Sequence, residues 1–137
     1  MSKIYILDSC AVIALVKKET GWETVFDILR KAINDEATVF MHELNLLEVF
    51  YGFYRERGKE YAEKMIAEAT KFFSVLNGLS DTAFAEAGRL KASYKMSLAD
   101  SVALSQAFVL GASLITADHH EFDTVEKSEK IAFLWFR

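Results

Sequence analysis

Residues 97–118, SLADSVALSQAFVLGASLITAD, form an almost unbroken run of apolar and small side chains in which Asp100 and Asp118 are the only charges. By periodicity the run reads as one helix, a break at Gly111 and one buried strand, with an aspartate near each outer end. A segment this apolar has to sit inside a packed domain, and it carries two carboxylates with it. The expectation is that these acids share a site with others from earlier in the chain.

The remaining elements follow from local signals. Residues 3–7 run apolar and end at Asp8, which suits a short buried strand, and Ser9 opens a helix over 11–16. Thr20-Gly21-Trp22-Glu23 has the pattern of a capping box, with Trp22, Phe26 and Leu29 at helical spacing behind it and a helix expected to about residue 33. A polar break at 34–36 precedes a strand over 38–41 that reads as short and of ambiguous edge position. Residues 44–55 and 60–72 are amphipathic helices separated by Gly58, followed by a brief strand over 73–76. Ser80 or Asp81 caps a helix to about residue 94, residues 119–123 read as a turn or short helix, and 131–136 as a final strand. Strands alternating with helices in this order specify an α/β domain with a largely parallel sheet. With no proline and no Ser/Gly-rich linker, residues 1–137 are expected to form one domain.

Charge and cysteine content narrow the function. A net charge of −4 supplies no basic footprint, which argues against a simple DNA-binding module. Cys10, the sole cysteine, excludes an internal disulfide and any multi-cysteine metal site, so a reducing cytoplasm is the expected compartment. No apolar run is long enough for a membrane span, and the first residues lack the form of a signal peptide. Eleven Phe, five Tyr and two Trp exceed what one small core needs, which suggests an interface.

In open α/β sheets, ligands bind beyond the carboxyl ends of the strands, where the strand order reverses. Asp8 follows the first strand, Asp118 follows the strand at 113–116, and Asp100 lies in the first turn after the cap Ser97. Glu48 sits inside a helix in the apolar run Leu46-Leu47-Glu48-Val49-Phe50, which implies partial burial. Each acid also has a plain structural reading: Asp8 and Asp118 as helix caps, Asp100 as a complement to the helix dipole, Glu48 as a surface residue. If all four converge, mutual repulsion raises their pKa values, and a divalent cation relieves it. Oxygen ligands without a His or Cys cluster suit Mg²⁺ or Mn²⁺, which also joins an acidic protein to a phosphodiester.

Other residues carry less. His119 and His120 are adjacent and point apart, which suits solvated loop residues better than a joint metal site, and His42 reads as structural. Cys10 has no base nearby in sequence and reads as a buried small residue. Arg55, Arg57, Lys59 and Lys64 read as a solvated helix face, with a nucleic-acid backbone as the alternative ligand. There is no glycine-rich phosphate loop.

Four segments in order, IYILDSCAVIAL, NLLEVFYG, SLADSVALSQAFVLGASLITAD and HHEFDTV, resemble the PIN-domain family, and within it the VapC-type ribonuclease toxins of prokaryotic toxin–antitoxin pairs. The resemblance spans nearly the whole chain. It implies a three-layer α/β/α fold around a mainly parallel sheet of four to five strands. It also implies that Asp8, Glu48, Asp100 and Asp118 form a Mg²⁺- or Mn²⁺-dependent RNA-cleaving site. Asp123 falls where the family often keeps a further acid, and Ser9 and Thr116 where it often has hydroxyls near the metal. A homodimer is implied, as is an antitoxin partner seated in a hydrophobic groove for which Trp22, Phe26, Phe50, Tyr51, Phe53 and Tyr54 are candidates.

Three other readings stand beside this one. The first is a PIN-type nuclease for RNA processing outside a toxin–antitoxin pair. The second is a PIN fold that only binds, against which all four acids speak. The third is a phospho-acceptor receiver domain, which needs adjacent acids after the first strand and an acceptor Asp after a middle strand; here Asp8 precedes Ser9, and no Asp ends the strands at Met41 or Leu76.

Overall fold

A computed structural model of the chain describes residues 3–137. Among these, five parallel strands form one sheet: β1 (Lys3–Leu7), β2 (Ala37–His42), β3 (Ser74–Leu76), β4 (Ser113–Thr116) and β5 (Ala132–Trp135), in the order β3-β2-β1-β4-β5. Seven helices cover it: α1 (Ser9–Lys17), α2 (Trp22–Ile33), α3 (Glu43–Arg57), α4 (Lys59–Ala69), α5 (Asp81–Ser93), α6 (Leu98–Leu110) and α7 (His119–Ser128).

The alternation of side chains along the strands sorts the core into two layers. Tyr5, Leu7, Val39, Met41 and Ile115 face one way, into a cluster completed by α1 to α4. Ile6 and Leu114 face the other, against Leu90 of α5, Ala103, Leu104 and Ala107 of α6, and Phe122 and Val125 of α7. The result is the expected three-layer α/β/α arrangement, with all five strands parallel.

Local differences from the sequence reading have physical causes. β2 is an internal strand, paired with β1 through Lys3↔Ala37 to Ile6↔Phe40 and with β3 through Phe40↔Ser74 to His42↔Leu76. The capping box at Thr20 does not form. Gly21 is the N-cap of α2 instead, at φ 90° with no side-chain cap, and a Cβ there would lie 2.0 Å from the Phe136 carbonyl oxygen. Close approach of the C-terminal strand therefore displaces the local cap. α4 stops at Ala69, where Thr70 caps it. α7 is a full helix, because Phe122 and Val125 are both fully buried one turn apart.

The histidines also differ from expectation. His119 stacks on Trp135 with ring centroids 3.9 Å apart, and its two ring nitrogens meet the Asp123 carboxylate at 2.8 Å and the Arg137 carbonyl at 2.9 Å. It is a clasp for the C-terminal strand, where sequence suggested a solvated loop residue. His42 is structural as expected: Nδ1 accepts the Leu44 N–H at 3.1 Å and caps α3, while Nε2 bonds the Gly78 carbonyl at 2.6 Å.

Candidate active site

The strand order reverses between β1 and β4, which lie side by side with Leu7 opposite Ile115. The two strands release Asp8 and Asp118 at the same edge of the sheet, and helices α1, α6 and α7 begin at that edge. Their free N–H groups and dipoles favour negative charge there.

Asp8 is the most constrained of the acids. It is 2% exposed. Its Oδ1 accepts the Ser9 N–H at 2.8 Å, and its Oδ2 accepts the Thr116 hydroxyl at 2.8 Å and the Cys10 thiol at 3.4 Å. Its own N–H is held by the Ile115 carbonyl at 3.1 Å. Burial raises its pKa, the bonds from Thr116, Cys10 and Ser9 pull it down, and the charge of Asp118 raises it further.

Asp100 is 8% exposed and enters α6 one turn after Ser97, whose hydroxyl oxygen accepts the Asp100 N–H at 3.1 Å. Burial first, then the negative charge of Asp8, pushes its pKa up to about 7, with Glu48 and Asp118 adding to the rise. Glu48, half-buried on α3, is raised by burial and by Asp8, while hydrogen bonding with Ser9 opposes the shift. Asp118 caps α7 by accepting the Glu121 N–H at 3.2 Å. The structural roles proposed for Asp8, Asp118 and Asp100 are thus real, and they aim the same side chains into one cluster.

Asp123 stands apart from these four. It is exposed on α7, and its carboxylate is engaged by His119. Ser9 and Thr116 lie inside the cluster, Ser9 through its N–H on Asp8 and Thr116 bridging Asp8 and Asp118. Two contributors escaped the sequence reading. Cys10 is a donor to Asp8, with its own pKa pushed up to about 12 by burial and by the Asp8 charge, so it stays a thiol. Asn45, fully buried on α3, donates to the Ala99 carbonyl at 3.2 Å and ties the Glu48 helix to the Asp100 helix. Its signal was present in the sequence: a second polar residue three before Glu48 in the same apolar helix.

The donor set suits a hard divalent cation. Glu48 Oε1 is a buried acceptor with no hydrogen-bond partner, and burial first, with repulsion from neighbouring acids adding to it, raises the pKa of Asp8, Glu48 and Asp100. Among the described residues no three His, Cys, Asp or Glu side chains close into a ready-made cage. Mg²⁺ commonly takes one or two carboxylates and keeps its remaining positions for water and phosphate.

No curated protein matches the chain in sequence. Solved structures match its fold. A chain of the VapBC2 complex of Rickettsia felis, bound to a DNA fragment from its promoter, superposes with a TM-score of 0.78 at 17% identity, covering 96% of this chain and 98% of that one. DNA-bound VapBC of Salmonella typhimurium gives 0.75 at 17% identity over 100% of both chains. VapC20 of Mycobacterium tuberculosis, a Sarcin-Ricin loop cleaving toxin, gives 0.60 at 14% identity over 82% of this chain and 87% of that one. At these identities the likeness is one of fold. The PIN domain profile, however, matches residues 5–128 of the sequence itself, so the chain belongs to the PIN domain family.

Proposed function

We propose that this protein is a Mg²⁺- or Mn²⁺-dependent endoribonuclease and the toxin of a type II toxin–antitoxin pair. The observation that carries the reading is the gathering of Asp8, Glu48, Asp100 and Asp118 at the β1/β4 reversal with an unpartnered carboxylate oxygen on Glu48. Likeness of fold to the VapBC complexes supports a cognate antitoxin as partner. The cleaving activity named for VapC20 supports RNA as substrate.

In this reading Asp8, Glu48, Asp100 and Asp118 hold the ion. Bound there, a divalent cation would polarise the phosphodiester and lower the pKa of an attacking water. The chain's own contribution is placement. Thr116, Ser9 and Cys10 lock the Asp8 carboxylate in one orientation, and Ser97 sets the turn that presents Asp100. The protein is read as a homodimer of the cytoplasm. Among the described residues no helix is long and apolar enough to cross a membrane. Of the aromatic candidates for an antitoxin groove, Phe26, Tyr51 and Tyr54 are more than two-fifths exposed, Trp22 and Phe50 are half-buried, and Phe53 belongs to the core.

The test is cleavage of RNA by the purified chain with Mg²⁺ or Mn²⁺, beside Asp8→Asn and Asp100→Asn. Both variants are expected to stay folded and lose cleavage, and full activity in either would sink the assignment. For the biological role, growth arrest on expression, relieved by the product of an adjacent short reading frame, is the expected result.

A further inference from the structure

The β5 side of the acidic cluster carries a stack of three flat rings. Phe133 and Trp135 lie two apart on β5, and therefore on one face of the sheet, with ring centroids 5.3 Å apart and planes 8° from parallel. His119 extends the stack, 3.9 Å from Trp135 at 13°. The polar edges are engaged. The Trp135 indole N–H donates to Glu126 at 3.0 Å, and the two His119 nitrogens meet the Asp123 carboxylate and the Arg137 carbonyl. Even so, the His119 side chain is 49% exposed. With one face on Trp135 and both nitrogens taken, what it turns to solvent is the opposite face.

The backbone fixes where that face lies. His119 directly follows Asp118, whose charge adds to burial in raising the pKa of both Asp8 and Asp100, and its own N–H is held by the Ala117 carbonyl at 3.0 Å. Clasping the C-terminal strand uses the nitrogens and the covered face of His119. It leaves a rigid, flat ring open to solvent at the rim of the acids.

We propose that the open face of His119 is a stacking platform for one base of a single-stranded RNA, at a nucleotide beside the scissile bond. The inference rests on the ribonuclease reading above and adds how the strand is held.

The chemistry of the face selects this occupant. Every base offers a π-face to an exposed ring, so such a platform holds RNA without demanding a sequence. Bonds at both nitrogens fix the ring in advance, which lowers the entropy lost when a base settles on it. A base can lie flat there only when it is unstacked from its neighbours, which excludes duplex. A protein partner suits the place less well, because the residues around the ring, His120, Asp123 and Arg137, are polar and exposed, and interface cores are depleted of charge.

The experiment measures binding, stability and turnover in parallel. Fluorescence anisotropy of a short labelled single-stranded RNA is recorded against protein carrying Asp100→Asn to prevent cleavage, with and without His119→Ala or His119→Phe. His119→Ala is expected to weaken binding about 5- to 100-fold. His119→Phe keeps the ring and loses both hydrogen bonds, so it is expected to melt lower than the parent yet bind RNA to within about twofold of it. In steady-state cleavage, where the cut fixes the register, His119→Ala in the wild-type background raises KM. An abasic nucleotide at one position beside the cut is expected to raise KM for the wild type and to add little for His119→Ala, as for two groups in contact. A wild type that cleaves no RNA strikes down the ribonuclease reading itself. Cleavage with a KM that His119→Ala leaves unmoved overturns this inference alone, and if the product of the adjacent short reading frame then binds that variant more weakly, the face belongs to a protein. Binding lost equally in His119→Phe and His119→Ala also overturns it, because the residue then acts only by holding the C-terminal strand. Should His119→Ala fail to fold, the abasic series on the wild type decides, and a KM indifferent to every flanking base overturns the platform.

Discussion

Thr116 gives its hydroxyl proton to Asp8 Oδ2 at 2.8 Å, across the junction of β4 and β1 and from a position 108 residues away in the chain. The Thr116 hydroxyl oxygen in turn accepts the N–H of Asp118 at 3.1 Å. One fully buried hydroxyl therefore sets the spacing between the two aspartates that end the central strands.

Replacing Thr116 with Val keeps the shape and removes both bonds, leaving a buried carboxylate and a backbone N–H short of a partner. The expected cost is about 1–3 kcal/mol of unfolding free energy, with a large fall in cleavage, and Thr116→Ser is expected to restore most of both. Chemical denaturation and initial rates check this. A Val variant with unchanged activity would remove Thr116 from the positioning role.

The pKa of Asp100 is raised from 3.8 to about 7, chiefly by burial. A carboxyl whose pKa is higher folded than unfolded keeps a proton that the unfolded chain releases, so its contribution to stability is complete below about pH 4 and is lost as pH rises to about 7. Asp100→Asn cannot lose that proton. In metal-free buffer the variant is therefore expected to gain stability over wild type across this window, by up to about 4 kcal/mol at about 1.4 kcal/mol per unit of pKa. Parallel stability curves for the two proteins would contradict the shift.

Mn²⁺ is expected to raise the melting temperature of the wild type, since an ion that binds only the native state stabilises it, by about 2.7 kcal/mol at a hundred times Kd. Glu48→Gln removes one ligand charge and eases the repulsion on Asp8 and Asp100. It is expected to melt higher without metal and to respond less to Mn²⁺. Differential scanning fluorimetry against a Mn²⁺ series separates the two effects.

Gly21→Ala tests why the expected capping box is absent. A methyl group there meets the Phe136 carbonyl oxygen at 2.0 Å, on a backbone already at φ 90°. The expected loss is roughly 2–4 kcal/mol. Thr20→Ala, at the residue that the sequence pattern had assigned the cap, is expected to cost less than about 0.5 kcal/mol by thermal melting, as for surface substitutions away from such features.

By itself the sequence determined the elements, the parallel α/β class and the placement of Asp8 and Asp118 at strand ends, because periodicity and turn chemistry act over a few neighbouring residues. It also singled out Glu48, since a carboxylate amid Leu46, Leu47, Val49 and Phe50 is costly unless something answers its charge. Tertiary structure alone decided the rest. Only the sheet order put Asp8 beside Thr116 and brought Glu48 and Asp100 into range of both. Docking of the C-terminal strand turned Gly21 into the cap of α2 and drew His119 and Asp123 into a clasp. Each of these depends on segments far apart in the chain, and no local propensity encodes which backbone will arrive next to which.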